Sequence, residues 1–332
     1  MTSITCPEVT QRVGGTPLVE LSTYSRSKVR IFAKLEWHNP FGSVKDRPAF
    51  WMIREAEKRG AIKKGQSIII EPSSGNTGIA LAGIAQSMGY KVEIVIPEKV
   101  SMETKSILKK LGATLHETSD DLCPRVGAGT DQSISLAKAI AKSRPDIYFM
   151  PNQYENEANF LSHHEGTGPE IWKQTAGNLT HFFSGCETGG TITGTATFLK
   201  QMNNNIRIIG IQAQQNHLLQ GLRNFEESAK PELFIRREDV VDQMVTATNK
   251  ESFDCVKELL FREGLFVGPS SGSVLSAMIT AAKSIKKGVL VGIFADDGRK
   301  FKSLYSQLNL LGADQYREAE RNLPPLAYIP RT

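Results

Sequence analysis

Short apolar segments alternate with longer helix-like segments along most of this 332-residue chain. The apolar segments have the length and residue types of buried strands, and Gly or Pro ends several of the segments around them. The predicted strands are residues 29–37, 67–70, 91–96, 147–150, 181–184, 207–212 and 289–294. The predicted helices are residues 47–59, 77–88, 101–111, 131–142, 191–202, 252–263 and 272–283. This order predicts an α/β fold with parallel-rich, twisted sheets that helices cover on both faces.

The composition excludes several classes of protein. Apolar residues make up 40% and charged residues 23%, and 40 Lys plus Arg against 35 Asp plus Glu leave a formal charge of +5. Basic residues occur as scattered pairs, which argues against a nucleic-acid partner, and the longest apolar run, 288–295, is too short to span a membrane. The cysteines have no spacing typical of a metal site or a disulfide framework, and residues 1–10 show no secretory pattern. We therefore expect a cytoplasmic protein with reduced thiols, no metal and about two domains.

A glycine-rich turn follows one predicted strand and opens the next helix. Residues 184–194 read SGCETGGTITG. Backbone amides at a helix start that carry no side chains can hold a phosphate, and threonine hydroxyls add donors. The spacing fits neither a dinucleotide fingerprint nor a P-loop. The turn therefore predicts either a phosphate site of another kind or a tight connection without a ligand.

Two further strand-to-helix turns are rich in hydroxyl groups. Residues 71–78 read EPSSGNTG, and residues 268–273 read GPSSGS. Each turn could supply no more than a serine N-cap, or it could bind an anion such as a carboxylate. Loops of this kind gather at the carboxyl edge of a parallel sheet, where ligands bind. The long, mixed segment 213–231 is also predicted to be a binding loop.

One lysine stands in an unusual local context. Residues 39–48 read NPFGSVKDRP, which places Lys45 after Val44 at a predicted helix start. The helix dipole disfavours a positive charge there, and a lysine that forms a Schiff base must be able to lose its charge. The alternative, a solvated surface lysine, stays open on these grounds alone.

Together, these four segments resemble the fold-type II pyridoxal-phosphate enzymes (the tryptophan synthase β-like fold), and within them the cysteine synthases. The resemblance runs from about residue 13 to residue 301. It implies two α/β domains with pyridoxal 5'-phosphate between them. The smaller domain would be 39–150 and the larger one 1–38 with 151–311. Residues 312–332 would form a surface tail or, alternatively, fold back over an opening, and a homodimer is implied.

The resemblance also assigns roles to residues. Lys45 would be catalytic and would bind the cofactor covalently, Asn76 would bond its 3-hydroxyl oxygen, and Ser270 would face its pyridine nitrogen. The implied phosphate cup is Thr188, Gly189, Gly190 and Thr191. The implied substrate-carboxylate site is Ser73, Ser74, Gly75, Asn76 and Thr77, with Gln153 assisting.

Two segments depart from the family pattern. The phosphate loop usually reads G-x-G-T-G-G-T, and Glu187 replaces the second of these glycines. A carboxylate would repel a phosphate, and a backbone angle suited to glycine would strain a glutamate residue. We therefore expect Glu187 to point away from the phosphate. Residues 296–300, which read DDGRK, replace a more usual serine-rich version.

The segment HLLQGLRNF at 217–225 bears on the leaving group. It resembles the corresponding segment of the B-type synthases, notably those that use O-phosphoserine. A guanidinium suits a phosphate because its fork donates paired, charge-assisted bonds. We therefore predict that Arg223 binds the phosphate of O-phosphoserine; the alternative is a surface arginine on a mobile loop.

The implied activity is a transferase reaction. It is a pyridoxal-phosphate-dependent β-replacement that makes L-cysteine from O-phosphoserine, or O-acetylserine, and a sulfur donor through an aminoacrylate intermediate. The donor could be sulfide or a sulfur-carrier protein. The alternatives are cystathionine or diaminopropionate synthesis, a serine or threonine dehydratase and, outside the enzymes, a catalytically silent binding scaffold.

Overall fold

Two β-sheets organise the chain in the computed structural model, which describes residues 9–119 and 132–326. The strands are β1 (Leu18–Glu20), β2 (Val29–Leu35), β3 (Ile68–Pro72), β4 (Lys91–Pro97), β5 (Thr114–Thr118), β6 (Tyr148–Phe149), β7 (His181–Gly185), β8 (Arg207–Ala213), β9 (Gln243–Ala247) and β10 (Gly288–Phe294). The six-stranded sheet has the order β1-β2-β10-β7-β8-β9, in which β1 pairs antiparallel with β2 and the other neighbours pair in parallel. The four-stranded sheet has the order β5-β4-β3-β6 and is parallel.

Helices connect nearly all of these strands. They are α1 (Asp46–Lys58), α2 (Asn76–Ser87), α3 (Met102–Lys110), α4 (Gln132–Ser143), α5 (Glu157–Ser162), α6 (Gly168–Gln174), α7 (Gly190–Met202), α8 (Glu232–Ile235), α9 (Asn249–Glu263), α10 (Pro269–Ala282), α11 (Lys302–Gln307) and α12 (Ala313–Arg321). Single turns of 3-10 or π helix occupy Glu36–His38, His163–Thr167, Glu238–Val240 and Gly298–Lys300. Ser101 caps α3, because its side chain accepts the N–H of Thr104.

Both faces of the six-stranded sheet are buried. Successive side chains of a strand point to opposite faces. Phe183 of β7 accordingly packs with α10 residues such as Met278, whereas its neighbour Phe182 packs in a separate cluster with α7 residues such as Ile192. The smaller sheet repeats this arrangement, because Ile69 packs in one cluster and Ile70 in another. The predicted α/β fold, with helices on both faces of parallel-rich sheets, is confirmed.

The strands that the sequence pattern did not predict are β1, β5 and β9. All three lie at sheet edges. An edge strand is partly exposed, so it lacks the continuous apolar run that marks a central strand. In β5, for example, Thr114–Thr118 read TLHET and include two exposed side chains. The predicted helix start at residue 131 lies outside the described residues.

The predicted C-terminal tail contains a helix at Ala313–Arg321. These residues form α12, and Tyr316 on this helix is buried. Its hydroxyl donates to the carbonyl oxygens of Gly298 (3.2 Å) and Arg299 (2.6 Å), and the Arg299 guanidinium in turn donates to the carbonyl of Pro324 (2.7 Å). The charged residues of this segment occupy the exposed face of an amphipathic helix, so its charged composition alone does not reveal the helix. Residues 327–332 lie outside the described part of the chain.

Three other observations concern membrane-spanning helices, metal sites and cysteines. No helix within 9–119 and 132–326 is long and apolar enough to cross a bilayer. The same residues contain no group of His, Cys, Asp or Glu side chains arranged to hold a metal ion. Cys186 and Cys255 are free and buried, and burial raises the pKa of each thiol to about 12. Cys6 and Cys123 lie outside the described residues.

Candidate active site

Two adjoining cavities lie where loops from both sheets meet. The larger, the loop cavity, is an opening of about 700 Å³ between the loop after β3 and the segment after β10. The smaller, the glycine cavity, lies against the glycine-rich loop between β7 and α7. Their shared walls are made by Val44, Lys45, Glu187, Gly221, Ser270 and Ala295. The carboxyl ends of parallel strands lead into these loops, which is where ligands bind in α/β proteins.

Lys45 lies immediately before α1, as predicted. The preceding residue, Val44, is buried, and its N–H donates to the carbonyl of Ala295 (2.8 Å), so the lysine segment is tied to the end of β10. The Lys45 side chain is 12% exposed, and its Nζ lies 2.5 Å from Oε2 of Glu187. Lys45 is therefore part of the wall between the two cavities rather than a solvated surface residue.

The glycine-rich loop forms a cradle that requires glycine at two positions. Gly189 has φ +90°, and a Cβ there would lie 2.9 Å from the Phe234 backbone. A Cβ on Gly190 would lie 2.1 Å from Oδ1 of Asn159. Helix α7 begins at Gly190, and the first amides of a helix have no carbonyl of that helix to bond. This end of the glycine cavity can therefore accept an anionic group.

Hydroxyl groups complete the cradle. Thr188, Gly189 and Thr191 line the glycine cavity, whereas Gly190 packs behind them. The Asn159 amide donates to Oγ1 of Thr188 (3.1 Å), and Nε2 of His163 lies 3.2 Å from Oγ1 of Thr191. Burial lowers the pKa of His163 well below its usual range, so this imidazole is neutral. Neutral partners thus fix the orientation of both threonines.

The loop after β3 carries the predicted carboxylate-binding residues. Oγ of Ser73 accepts the N–H groups of Gly75 (3.2 Å) and Gly78 (2.9 Å), which fixes the loop before α2. Oγ1 of Thr77 donates to Oε1 of Gln153 (2.6 Å). Ser73, Ser74, Gly75, Asn76, Thr77 and Gln153 all line the loop cavity. The structure therefore brings the six predicted residues of this group together.

Glu71, which the sequence analysis did not single out, holds Gln153 in place. Its buried carboxylate accepts the N–H groups of Asn152 (2.8 Å) and Gln153 (2.9 Å). Burial raises the pKa of Glu71 to about 7, against the opposing effect of the two backbone donors. The sequence signal that could have identified Glu71 is an acidic residue directly after three isoleucines, in the segment IIIEP.

Asn76 contacts a charged pair that follows β10. Its Nδ2 donates to Oδ2 of Asp296 (2.7 Å), and Lys300 donates to its Oδ1. Nζ of Lys300 lies 3.4 Å from Oδ2 of Asp296. Burial raises the pKa of Asp296, while Lys300 lowers it. The unusual segment DDGRK thus places two charges on the loop-cavity wall and links it to the loop after β3.

Ser270 lies in the first turn of α10 and lines both cavities. It is buried, and the wall opposite it is formed by Gly221, which has φ +88°. A Cβ on Gly221 would lie 3.7 Å from Oγ of Ser270. The third hydroxyl-rich turn therefore contributes one neutral hydroxyl between the cavities.

Arg223, like Gly190, is a predicted site residue that lies behind the lining of the cavities. Among the described residues, the lining of neither cavity includes Arg223. Its guanidinium carbon lies 4.8 Å from the ring centre of Tyr154, which does line the loop cavity. Its backbone bonds Cys186 (2.9 Å) and Ala213 (3.0 Å), so it is anchored at its backbone. Burial raises the pKa of Tyr154 to about 12, while Arg223 lowers it.

Glu187 differs from expectation in two respects. Its backbone is not among the positive-φ non-glycine residues of the described chain, so the expected strain is absent there. Its side chain lines both cavities and pairs with Lys45, and thus turns inward. The positive φ of this loop falls on Gly189 instead.

The sequence analysis gave no role to several polar residues of the site region. They include Glu71, Tyr154, Asn159, Asp296 and Lys300. Asp296 and Lys300 lie in a segment that was noted as unusual without a role. Tyr154 and Asn159 lie in a stretch without a recognisable pattern, so only the three-dimensional structure reveals them.

Comparisons with known proteins agree with this site. The profile of the family described as "Pyridoxal-phosphate dependent enzyme" matches residues 9–296. A cysteine synthase of Aquifex aeolicus is 43% identical over 298 residues, which cover 87% of this chain and 88% of that protein. The cysteine synthase B of Salmonella typhimurium is 36% identical over 294 residues, covering 88% and 93%. The crystal structure of a cysteine synthase from Entamoeba histolytica superimposes with a TM-score of 0.81 at 29% identity, covering 97% and 98%.

The family profile covers the lysine segment, all three hydroxyl- or glycine-rich turns and the end of β10. The predicted resemblance and the predicted cofactor, pyridoxal 5'-phosphate, are therefore confirmed. This chain belongs to the family of pyridoxal-phosphate dependent enzymes, within its cysteine synthase branch.

Proposed function

We propose that this chain makes L-cysteine by β-replacement, with O-phosphoserine or O-acetylserine as the amino-acid substrate and a sulfur donor as the second substrate. The observation that carries the proposal is the convergence of three groups on two adjoining cavities. They are the Lys45 amine, the amide-rich cradle before α7 and the hydroxyl loop 73–77. The relatives named cysteine synthase support the same reading.

The described residues fit pyridoxal 5'-phosphate. The cradle packs Gly189 against the Phe234 backbone and Gly190 against Asn159, and its amides and threonine hydroxyls suit the phosphate. Lys45 would hold the cofactor covalently, and Asn76 and Ser270 would contact its ring. When bound, the cofactor supplies an electron sink that makes the substrate's Cα–H acidic and promotes loss of the group on Cβ.

The chain's own residues would bind the substrate and move its proton. The hydroxyl and amide groups of loop 73–77, with the Gln153 side chain, would hold the substrate carboxylate. Nζ of Lys45, when free, would take the Cα proton and later return it. Ser270 presents a neutral hydroxyl, so the wall supplies no carboxylate at that position to keep a ring nitrogen protonated. Such a site favours prompt elimination over a long-lived carbanion.

The two sheets suggest how water would be excluded. We propose that residues 39–150, which contain the four-stranded sheet, form the smaller domain, and that 1–38 with 151–311 form the larger one. Contacts between Asn76 and the Asp296–Lys300 pair then cross the boundary. Movement of loop 73–77 onto a bound carboxylate would close the loop cavity.

The choice of leaving group depends on Arg223. Its guanidinium lies behind Tyr154 with a fixed backbone, one side chain away from the loop cavity. We propose that Arg223 attracts the phosphate of O-phosphoserine, a charge that an acetyl ester lacks. From the family resemblance we further propose a homodimer in the cytoplasm, with sulfide or a sulfur-carrier protein as the donor.

Borohydride reduction tests the proposal directly. Purified protein incubated with pyridoxal 5'-phosphate and reduced should carry one pyridoxyl adduct, which mass spectrometry locates on Lys45. The Lys45→Ala variant should carry none, whereas Lys105→Ala, which changes a lysine that lines neither cavity, should keep it. An adduct at another lysine, or a modified protein that releases no cysteine from either serine ester and sulfide, refutes the proposal.

A further inference from the structure

Glu187 makes the closest ionic contact that either cavity contains in the described part of the chain. Its Oε2 lies 2.5 Å from Nζ of Lys45, and the two side chains are 23% and 12% exposed. Both residues belong to the wall that the cavities share. Charges in such a partly enclosed position are screened by salt much less than charges on the surface.

The loop that carries Glu187 is held on both sides. The N–H of Cys186 donates to the carbonyl of Ile211 (2.8 Å), and the carbonyl of Cys186 accepts the N–H of Arg223 (2.9 Å). On the other side, Thr188 accepts the amide of Asn159 (3.1 Å). The carboxylate is therefore presented to Lys45 from a fixed backbone, at a position where glycine is not required by the backbone angle.

We propose that Glu187 is a positioning residue for Lys45: its carboxylate holds Nζ at the boundary between the two cavities whenever this nitrogen is not covalently bound. The contact itself does not depend on the proposed function, whereas its consequence for catalysis rests on it. A lysine nitrogen must be free to move onto an aldehyde or a substrate proton before it reacts. Glu187 therefore restrains Nζ in one position, and this contact must break before Lys45 bonds either partner.

Other charged and titratable groups surround the pair. They are Asp46 on α1, Tyr154 before α5, His163 before α6, and Asp296 with Lys300 after β10. The neutral His163 and the paired Asp296 and Lys300 leave Glu187 as the carboxylate in direct contact with Nζ. Removal of this carboxylate should therefore change the behaviour of Lys45 more than removal of a distant one.

Competitive acetylation of the full-length, cofactor-free protein measures the reactivity of each lysine. Labelling is carried out at one fixed pH and quantified by mass spectrometry. Because the loss of a charge-assisted bond of about 1.4 kcal/mol corresponds to a factor of ten, Lys45 in Glu187→Gln should label about tenfold faster than in the wild type. Glu187→Asp, which keeps the charge, should restore most of the wild-type behaviour, and Glu187→Gly should resemble Glu187→Gln.

A second ion pair in the same protein provides a matched control. Glu117 lies 2.6 Å from Nζ of Lys105, and neither residue lines either cavity. Glu117→Gln should change the labelling of Lys105 and leave that of Lys45 unchanged. The proposal is overturned if Lys45 labels equally in the wild type, Glu187→Gln and Glu187→Gly. Labelling needs no cofactor, so this result is distinct from a failure of borohydride to fix pyridoxal 5'-phosphate on Lys45.

Discussion

The carboxylate of Glu71 accepts the backbone N–H of Gln153 at 2.9 Å, and so the end of a buried strand positions a side chain of the loop cavity. Gln153 in turn accepts the hydroxyl of Thr77 (2.6 Å). A residue that does not line the cavity thus fixes two that do. This arrangement makes the site sensitive to a titration within the core of the smaller sheet.

The stability of the protein should report that titration. Burial raises the pKa of Glu71 from its ordinary value of 4.5 to about 7. Between pH 4.5 and about pH 7, Glu71 keeps a proton in the folded state that it has lost in the unfolded state. The free energy of unfolding should therefore fall as the pH rises through this window, by on the order of 3 kcal/mol, and level off above it.

Urea unfolding of the wild type and of Glu71→Gln at several pH values checks this expectation. The neutral variant lacks the titration, so the stability advantage of the wild type should shrink between about pH 4.5 and pH 7. A difference in stability that stays constant over the window contradicts the assignment.

The cradle at Gly189 should not tolerate a methyl group. Alanine at this position would be held at an unfavourable positive φ, and its Cβ would lie 2.9 Å from the Phe234 backbone. We expect Gly189→Ala to lose about 2 to 4 kcal/mol of stability and to bind pyridoxal 5'-phosphate more weakly. Gly264→Ala is the matched control, because Gly264 has φ +67° with no atom within 4 Å of its Cβ position. It should lose about 1 kcal/mol, measured by urea unfolding, and keep its cofactor affinity.

A buried ionic network supports the lysine segment from behind. Arg47 donates to Glu36 (2.7 Å) and Glu170 (2.7 Å), and the pKa of Glu170 is lowered to about 2 because Arg47 and Lys34 outweigh the effect of burial. Arg47→Met leaves buried carboxylates without their partner and should cost about 3 to 5 kcal/mol in urea unfolding. Arg30→Met, which breaks an exposed pair with Glu20, should leave the stability nearly unchanged. Equal effects of the two substitutions would contradict the role of the network.

The central strands and their helices could be predicted because each carries its own signal. Central strands such as β3 and β10 are continuous apolar runs, and Gly or Pro ends the neighbouring segments. The edge strands β1, β5 and β9 and the helix α12 could not be predicted, because partial exposure removes the apolar run from these strands and charges cover one face of the helix. Tertiary packing, rather than local sequence, determines these elements.

The same distinction applies to the site. Lys45 and the loops 73–77 and 188–191 were predictable because glycine, hydroxyl and lysine residues sit at strand-to-helix turns whose positions the fold dictates. The contact between Glu187 and Lys45 was not, because they are 142 positions apart by number (187 − 45) and meet only because β2 and β7 flank β10 in the six-stranded sheet. Asp296 and Lys300 reach Asn76 in the same way.

Substrate preference should reveal the role of Arg223. If its charge attracts a phosphate through the wall at Tyr154, Arg223→Ala should lower kcat/KM for O-phosphoserine at least about tenfold more than for O-acetylserine, a difference of about 1.4 kcal/mol. The acetyl ester controls for damage to the site, because both esters lose their groups from the same carbon. Arg237, whose guanidinium carbon lies 3.9 Å from the Phe160 ring centre, offers a matched stacked arginine. Arg237→Ala should affect both esters alike, and an equal loss for both esters in Arg223→Ala would exclude Arg223 as the phosphate-attracting group.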